Sequence, residues 1–233
     1  MSKNILIAGG TSGIGAEVLS TLRADGHQVY CACRCPEALP EDPQVYRLPF
    51  DATASTHDLA LPERIDGFVY FPGTITLKPF GRLSADDFLR DYQVNLLGAV
   101  TLLQRALPSL LKGEDPAVVF FSTVAVQTGL PFHASISAAK GAVEGLTRSL
   151  AAELAPRVRV NCIAPSLTDT SLAAPLLNSE EKKSSSAKRH PLNRIGDPKE
   201  LAGLVSFLLG PQSSFMTGNI IKADGGLSSL KLF

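Results

Sequence analysis

Apolar residues in this chain follow two rhythms that alternate from one end to the other. Strand-length runs rich in apolar residues occur at Asn4–Ala8, Gln28–Ala32, Gln44–Pro49, Gly67–Phe71, Ala117–Ser122, Arg157–Ile163 and Asn219–Ala223. Longer stretches carry apolar residues at three- and four-residue spacing, at Gly15–Ala24, Ser84–Leu97 continuing toward Leu111, Ser135–Leu154 and Pro198–Leu209, and predict helices. The alternation predicts an α/β fold, a doubly wound, seven-stranded parallel sheet flanked by helices. One interval breaks the rhythm. In Asn178–Arg189, Glu180-Glu181-Lys182-Lys183 precedes three serines and Lys188-Arg189, which reads as a solvated surface segment rather than a substrate lid.

The chain of 233 residues is 45% hydrophobic and 19% charged, enough for one sizeable core, so residues 1–233 are expected to form a single domain. Lys and Arg total 22, as do Asp and Glu. A formal charge of zero offers no attraction to nucleic acid or an anionic membrane, so the expected partner is a small molecule. The apolar run Asn4–Ala8 is too short for a signal peptide or a membrane span, and the expected location is the cytoplasm. Cys31, Cys33 and Cys35 alternate in a strand and the turn after it. That spacing suits neither a disulfide nor a tetrahedral zinc site, so reduced thiols and no metal are expected.

The first predicted strand runs into Gly9-Gly10-Thr11-Ser12-Gly13-Ile14-Gly15 and then a helix. Glycines let the backbone turn tightly and approach a pyrophosphate, while amides at the helix start face its negative charge. Strand, glycine turn and helix in this order predict a Rossmann-type dinucleotide site with Gly9, Thr11, Ser12, Gly13, Ile14 and Gly15 around the phosphates. Past the second strand, Cys33 stands where an acid would accept from a ribose 2′-hydroxyl, and Arg34 follows it. Arginine pairs with a 2′-phosphate, which favours NADP(H) over NAD(H). Asp51, after the third strand, is placed to accept from an adenine amino group.

These segments together resemble the short-chain dehydrogenase/reductase family, essentially end to end. Gly9-x-x-x-Gly13-Ile14-Gly15 matches the family's cofactor motif, with Ala8 where threonine is common. Tyr70-Phe71-Pro72-Gly73 stands where the family usually has Asn-Asn-Ala-Gly and keeps only Gly73, a departure at the segment that stabilises the central sheet. Val94-Asn95-Leu96-Leu97-Gly98 matches the motif whose asparagine shapes an active-site water chain, which implies that role for Asn95. The family's substrate-orienting serine lies thirteen residues before its tyrosine, a count that falls on Thr123, with Ser122 adjacent. Pro165-Ser166-Leu167-Thr168-Asp169-Thr170 resembles the segment that holds the nicotinamide carboxamide and phosphates, which implies that Pro165, Thr168 and Thr170 touch cofactor. The segments Leu192–Pro198 and Thr217–Gly226 resemble the family's carboxy-terminal substrate wall and subunit contacts.

In this family a tyrosine and a lysine four residues apart project from one helix face toward the nicotinamide. Lysine binds the ribose hydroxyls and lowers the tyrosine pKa; tyrosine protonates the carbonyl. Lys140 matches the lysine, but Ile136 occupies the tyrosine position and cannot donate a proton. General acid catalysis contributes about 10² to 10⁴ in rate, so its loss need not abolish turnover. His133, near the helix start, is a substitute donor on pKa grounds, or else a loop residue that caps the helix or lines the site. Ser135 is expected to cap the helix, and Tyr70 is another phenol near the cofactor.

Three functions remain open on this reading. The first is an NADP(H)-dependent oxidoreductase with a rearranged acid, acting on a carbonyl, an alcohol or an enone, with Asn95, Thr123 and Lys140 as orienting residues. The second is a cofactor-binding protein without turnover. The third is a non-redox isomerase or lyase on the same scaffold, since fold does not dictate chemistry. The resemblance also implies a homodimer or homotetramer, and Leu96, Leu97, Val100, Leu103, Val143, Leu146 and Leu150 supply apolar surface either for that contact or for the core.

Overall fold

The computed structural model describes residues 2–54 and 59–231 and turns the alternation into one parallel sheet. Strands β1 (Asn4–Ala8), β2 (Gln28–Cys33), β3 (Val45–Pro49), β4 (Gly67–Tyr70), β5 (Ala117–Phe121), β6 (Arg159–Pro165) and β7 (Ile220–Ala223) pair in the order β3-β2-β1-β4-β5-β6-β7. Every pairing is parallel, with β1 flanked by Val29 and Gly67 at Ile5. The chain leaves β1 in one direction to build β2 and β3, then returns to build β4 on the other side. The crevice beyond the carboxyl ends of β1 and β4 is the switch point where doubly wound sheets bind ligands.

Side chains alternate across the strands and fill two cores. Ile5, Ile7, Val29, Val69, Val119 and Ile163 pack under helices α1 (Gly13–Ala24) and α7 (Pro198–Leu209), against Val18, Leu22, Val205 and Leu208. Leu6, Phe68, Phe120, Val160 and Cys162 face the opposite layer, meeting Leu102 and Leu110 of α3 (Gly98–Leu110) and Val143 of α5 (Ala134–Leu154). Both faces are dry, which is why the strands read as continuous apolar runs rather than alternating ones. Leu96, Leu103 and Val143 belong to this core, Val100, Leu146 and Leu150 pack against it part-buried, and Leu97 is exposed.

The structure refines three sequence expectations. The sixth strand starts at Arg159, not Arg157, because α5 runs into a turn in which the Arg157 amide donates to the Leu154 carbonyl and its guanidinium to the Leu111 and Gly113 carbonyls. The helix expected over Ser84–Leu111 is α2 (Ala85–Tyr92), then a π-helical stretch Gln93–Leu97, then α3. π-Turns inserted in helices mark functional sites, and this one contains Asn95. Ser84 caps α2 in a reciprocal box with Asp87. Asn178–Arg189, read as a solvated surface segment, is mostly exposed and forms helix α6 (Glu180–Ala187), capped by Ser179 and anchored by buried Ser186 and His190. The segment's charge pattern hid this, because a short helix with a solvated face carries little apolar periodicity. The short helix α4 (Ala125–Thr128) follows β5.

The Tyr70-Phe71-Pro72 departure leaves the centre of the sheet well supported. The Phe71 ring packs on Phe121 with centroids 5.0 Å apart, and its amide donates to the Ala8 carbonyl at 3.0 Å. Aromatic packing thus supports the centre of the sheet at this segment.

Candidate active site

The turn after β1 is built around glycine. Gly9 and Gly13 have φ of +84° and +54°, conformations that favour glycine. A Cβ on Gly15 would lie 1.8 Å from the Gly9 carbonyl oxygen, so only glycine lets α1 start this close to β1. The N-cap residue of α1, Ser12, makes no side-chain capping bond. Its hydroxyl and the first amides of α1 are therefore presented at the helix start beside exposed Thr11. Thr170, from the loop after β6, stands against Gly13 with its Cβ 3.3 Å from where a Gly13 Cβ would be. Such a cradle fits a pyrophosphate.

Farther out, Arg34 lies exposed beyond β2 and its charge reaches Asp51. The Thr53 amide and hydroxyl, with Arg34 behind them, hold the Asp51 carboxyl below the usual range. Both residues are thus brought to one side of the crevice. Pro165 ends β6, and the Pro165 carbonyl accepts from the Val124 amide at 3.1 Å. Buried Thr168 donates to the Ser166 carbonyl at 3.1 Å, and Ser166 Oγ lies 2.8 Å from His190 Nε2. That contact ties the loop after β6 to the end of α6.

At the centre, Asn95 and Lys140 converge on Gly73. A Cβ at Gly73 would stand 3.1 Å from Asn95 Oδ1 and 3.8 Å from Lys140 Nζ. Asn95 Nδ2 donates to Thr74 Oγ1 and to the Asp91 carbonyl, both at 2.8 Å, while Oδ1 is buried without a partner among the described residues. Lys140 is buried and donates to the Phe121 carbonyl at 2.8 Å. Burial pushes its pKa down to about 8, opposed by Cys162 and Asp91. Ile136, one turn earlier on α5, is 4% exposed.

The hydroxyls divide. Ser122 is buried and donates to Glu144 at 2.9 Å, facing under α5. Thr123 is half-buried and accepts from the Ala125 amide at 3.3 Å. Ser135 is not a cap: His133 is the N-cap residue of α5, without a side-chain cap bond, and buried Ser135 instead donates to Asp91. His133 Nδ1 lies 2.7 Å from the Pro131 carbonyl, so that nitrogen carries a proton and donates to it. Tyr70 is excluded as a proton donor, since its hydroxyl is spent on the Val94 carbonyl at 2.7 Å and burial pushes its pKa up. It instead fastens the π-helical stretch to β4.

Sequence reasoning missed Asp91. It is wholly buried, and Thr74 and Thr76 donate to its Oδ1 at 2.5 and 3.0 Å. The available signal was its place four residues before Asn95 on the same helical face. The hydroxyls that satisfy it, Thr74, Thr76 and Ser135, lie far away in the chain and carried no signal.

Comparison with known proteins agrees with this fold. The family model described as enoyl-(acyl carrier protein) reductase matches residues 8–228. A tropinone reductase homolog of Arabidopsis thaliana is 34% identical, the alignment covering 97% of this chain and 92% of the relative. The 3-oxoacyl-[acyl-carrier-protein] reductase MabA of Mycobacterium tuberculosis is 31% identical over 97% of this chain and 93% of its own. Among solved structures, the aldohexose dehydrogenase of Thermoplasma acidophilum superposes with a TM-score of 0.89 at 26% identity, covering 100% of this chain and 96% of that one. ElxO with NADP bound superposes with a TM-score of 0.86 at 25% identity, covering 99% of this chain and 100% of that one. With the glycine cradle, the Asn95–Lys140 pair and a match over nearly its whole length, the chain belongs to the short-chain dehydrogenase/reductase family of oxidoreductases.

Proposed function

We propose that this protein is an NADP(H)-dependent oxidoreductase of small carbonyl compounds, alcohols or enones, in which Ile136 replaces the family's tyrosine and Lys140 is the proton source. The observation that carries this reading is the convergence of buried Lys140 Nζ and the unpartnered Asn95 Oδ1 at Gly73. An orphaned buried oxygen is costly, and a bound ligand or water would satisfy it.

The residues present fit a nicotinamide dinucleotide. Gly9, Thr11, Ser12, Gly13, Ile14 and Gly15 would hold its pyrophosphate, Arg34 a 2′-phosphate, Asp51 the adenine, and Gly73, Asn95, Lys140, Pro165, Thr168 and Thr170 the nicotinamide half. When bound, the nicotinamide supplies or accepts the hydride at the substrate carbon. Thr123 would orient the substrate oxygen. In reduction, the Lys140 N–H bond breaks as the substrate O–H bond forms, and the neutral amine regains its proton from water. A lysine with a pKa of about 8 suits this near neutrality. An enone asks less of the donor, because charge develops on a delocalised oxygen.

A second donor is supported by one observation: the Pro131 carbonyl holds the Nδ1–H of His133, so in the imidazolium the Nε2 proton would be the one available for donation. His133→Ala and Lys140→Met separate the two readings, since loss of the true donor slows hydride transfer by about 10² or more. Steady-state assays with NADPH across a carbonyl and enone panel test the function itself. Rates at the no-enzyme background with cofactor bound would leave a cofactor-binding protein without turnover, whereas turnover without cofactor would point to an isomerase or lyase. Exposed Leu89, Tyr92 and Leu97, along α2 and the turn after it, support a two-fold homodimer, which light scattering checks against a monomeric mass.

A further inference from the structure

A carboxylate without solvent contact is costly unless hydrogen bonds and a countercharge meet it. Asp91 is 0% exposed, and each of its oxygens is met by side-chain hydroxyls: Thr74 and Thr76 on Oδ1, Ser135 on Oδ2. Thr74 also accepts from Asn95 Nδ2, so the carboxylate is one hydrogen bond removed from the asparagine. Ser135 immediately precedes Ile136, which brings the network beside the position that lacks a phenol. Burial lowers the Lys140 pKa, and two groups on the elements packed around it oppose that, Cys162 of β6 and Asp91 of α2. The Cys162 thiol is pushed up to about 12 by burial, while both oxygens of Asp91 accept from hydroxyls, the arrangement that suits a carboxylate. Glu144, on the same helix as Lys140, is turned to Ser122, Gln127 and Arg148.

We propose that Asp91 is the positioning residue of this active site: held by Thr74, Thr76 and Ser135, its carboxylate aims Asn95 through Thr74 and keeps Lys140 an ammonium. The inference deepens the reading of Lys140 as proton source and rests on it for its catalytic meaning. The charge relationship between Asp91 and Lys140 is measurable without turnover.

The test uses Asp91→Asn, which preserves shape and removes charge, with NADPH present and absent. The Lys140 ¹³Cε resonance, followed by NMR against pH, should titrate about one unit lower in the variant, a tenfold loss of proton affinity. The alkaline limb of the pH–rate profile should move with it. An unchanged Lys140 midpoint in a folded variant overturns the proposal. If the shift occurs but no substrate turns over in the native protein, the reading of the function fails and the Asp91–Lys140 link stands. If Asp91→Asn does not fold, the double variant Asp91→Asn/Lys140→Met decides. Removal of the uncompensated ammonium should restore folding, and failure of the double variant to fold marks Asp91 as merely structural and overturns the proposal.

Discussion

Ser135 Oγ donates to Asp91 Oδ2, joining α5 to α2 across 44 residues of sequence. The bond lies one position before Ile136 and four before Asn95, so it sets the spacing of the two helices that carry the site. Ser135→Ala should cost about 1–2 kcal/mol, because a buried charged acceptor loses a donor. In a chain of this size each kcal/mol lowers the melting temperature by roughly 2–4 °C. Scanning calorimetry checks this against Ser137→Ala, which should stay within about 0.5 kcal/mol of the native protein.

Lys140 makes stability depend on alkaline pH. Its folded pKa is near 8 against an ordinary 10.5, so the folded state holds this proton less tightly than the unfolded chain. The resulting penalty is fully present below about 8 and is relieved as pH rises toward 10.5. Thermal unfolding of the native protein should therefore show a stabilising contribution that grows over that window and is missing from Lys140→Met. The difference between the two curves isolates this lysine from the other groups that titrate there. A difference that is flat with pH would contradict the assignment.

The glycine turn after β1 depends on the absence of a single methyl group. Gly15→Ala places Cβ 1.8 Å from the Gly9 carbonyl oxygen, an approach that no rotamer relieves. The turn between β1 and α1 must open, so NADPH binding should weaken by at least roughly tenfold, the loss of one good hydrogen bond to a charged group. Fluorescence titration with NADPH measures it, with circular dichroism showing whether the fold persists.

Cofactor choice should reside in Arg34. Arg34→Ala removes a guanidinium that would pair with a 2′-phosphate, so the NADPH dissociation constant should rise roughly tenfold or more while that for NADH changes little. Equal weakening for both cofactors would mean that Arg34 instead stacks on the adenine.

Much of this architecture was legible because it depends on local pattern. Strand-length apolar runs separated by helix-period segments specify a parallel sheet with helices between its strands, and glycines at 9, 13 and 15 specify a turn that other residues cannot make. Boundaries were less legible where long-range bonds decide them, as when Arg157 is drawn to carbonyls at 111 and 113 and the strand starts at Arg159. The helix α6 escaped notice because two buried side chains, Ser186 and His190, anchor it rather than an apolar stripe.

The sequence by itself determined the fold class, the glycine turn after the first strand, the Asn95 and Lys140 positions and the isoleucine four residues before Lys140. Each is a local or fixed-spacing property, set by backbone sterics or by the periodicity of one element. Only the tertiary structure decided how the polar groups pair. It assigned the Tyr70 hydroxyl to the Val94 carbonyl, turned Ser135 from a cap into a donor and buried Asp91 among hydroxyls. A hydrogen bond forms between whichever donor and acceptor the packing brings within 3 Å or so, and sequence distance carries almost no information about that.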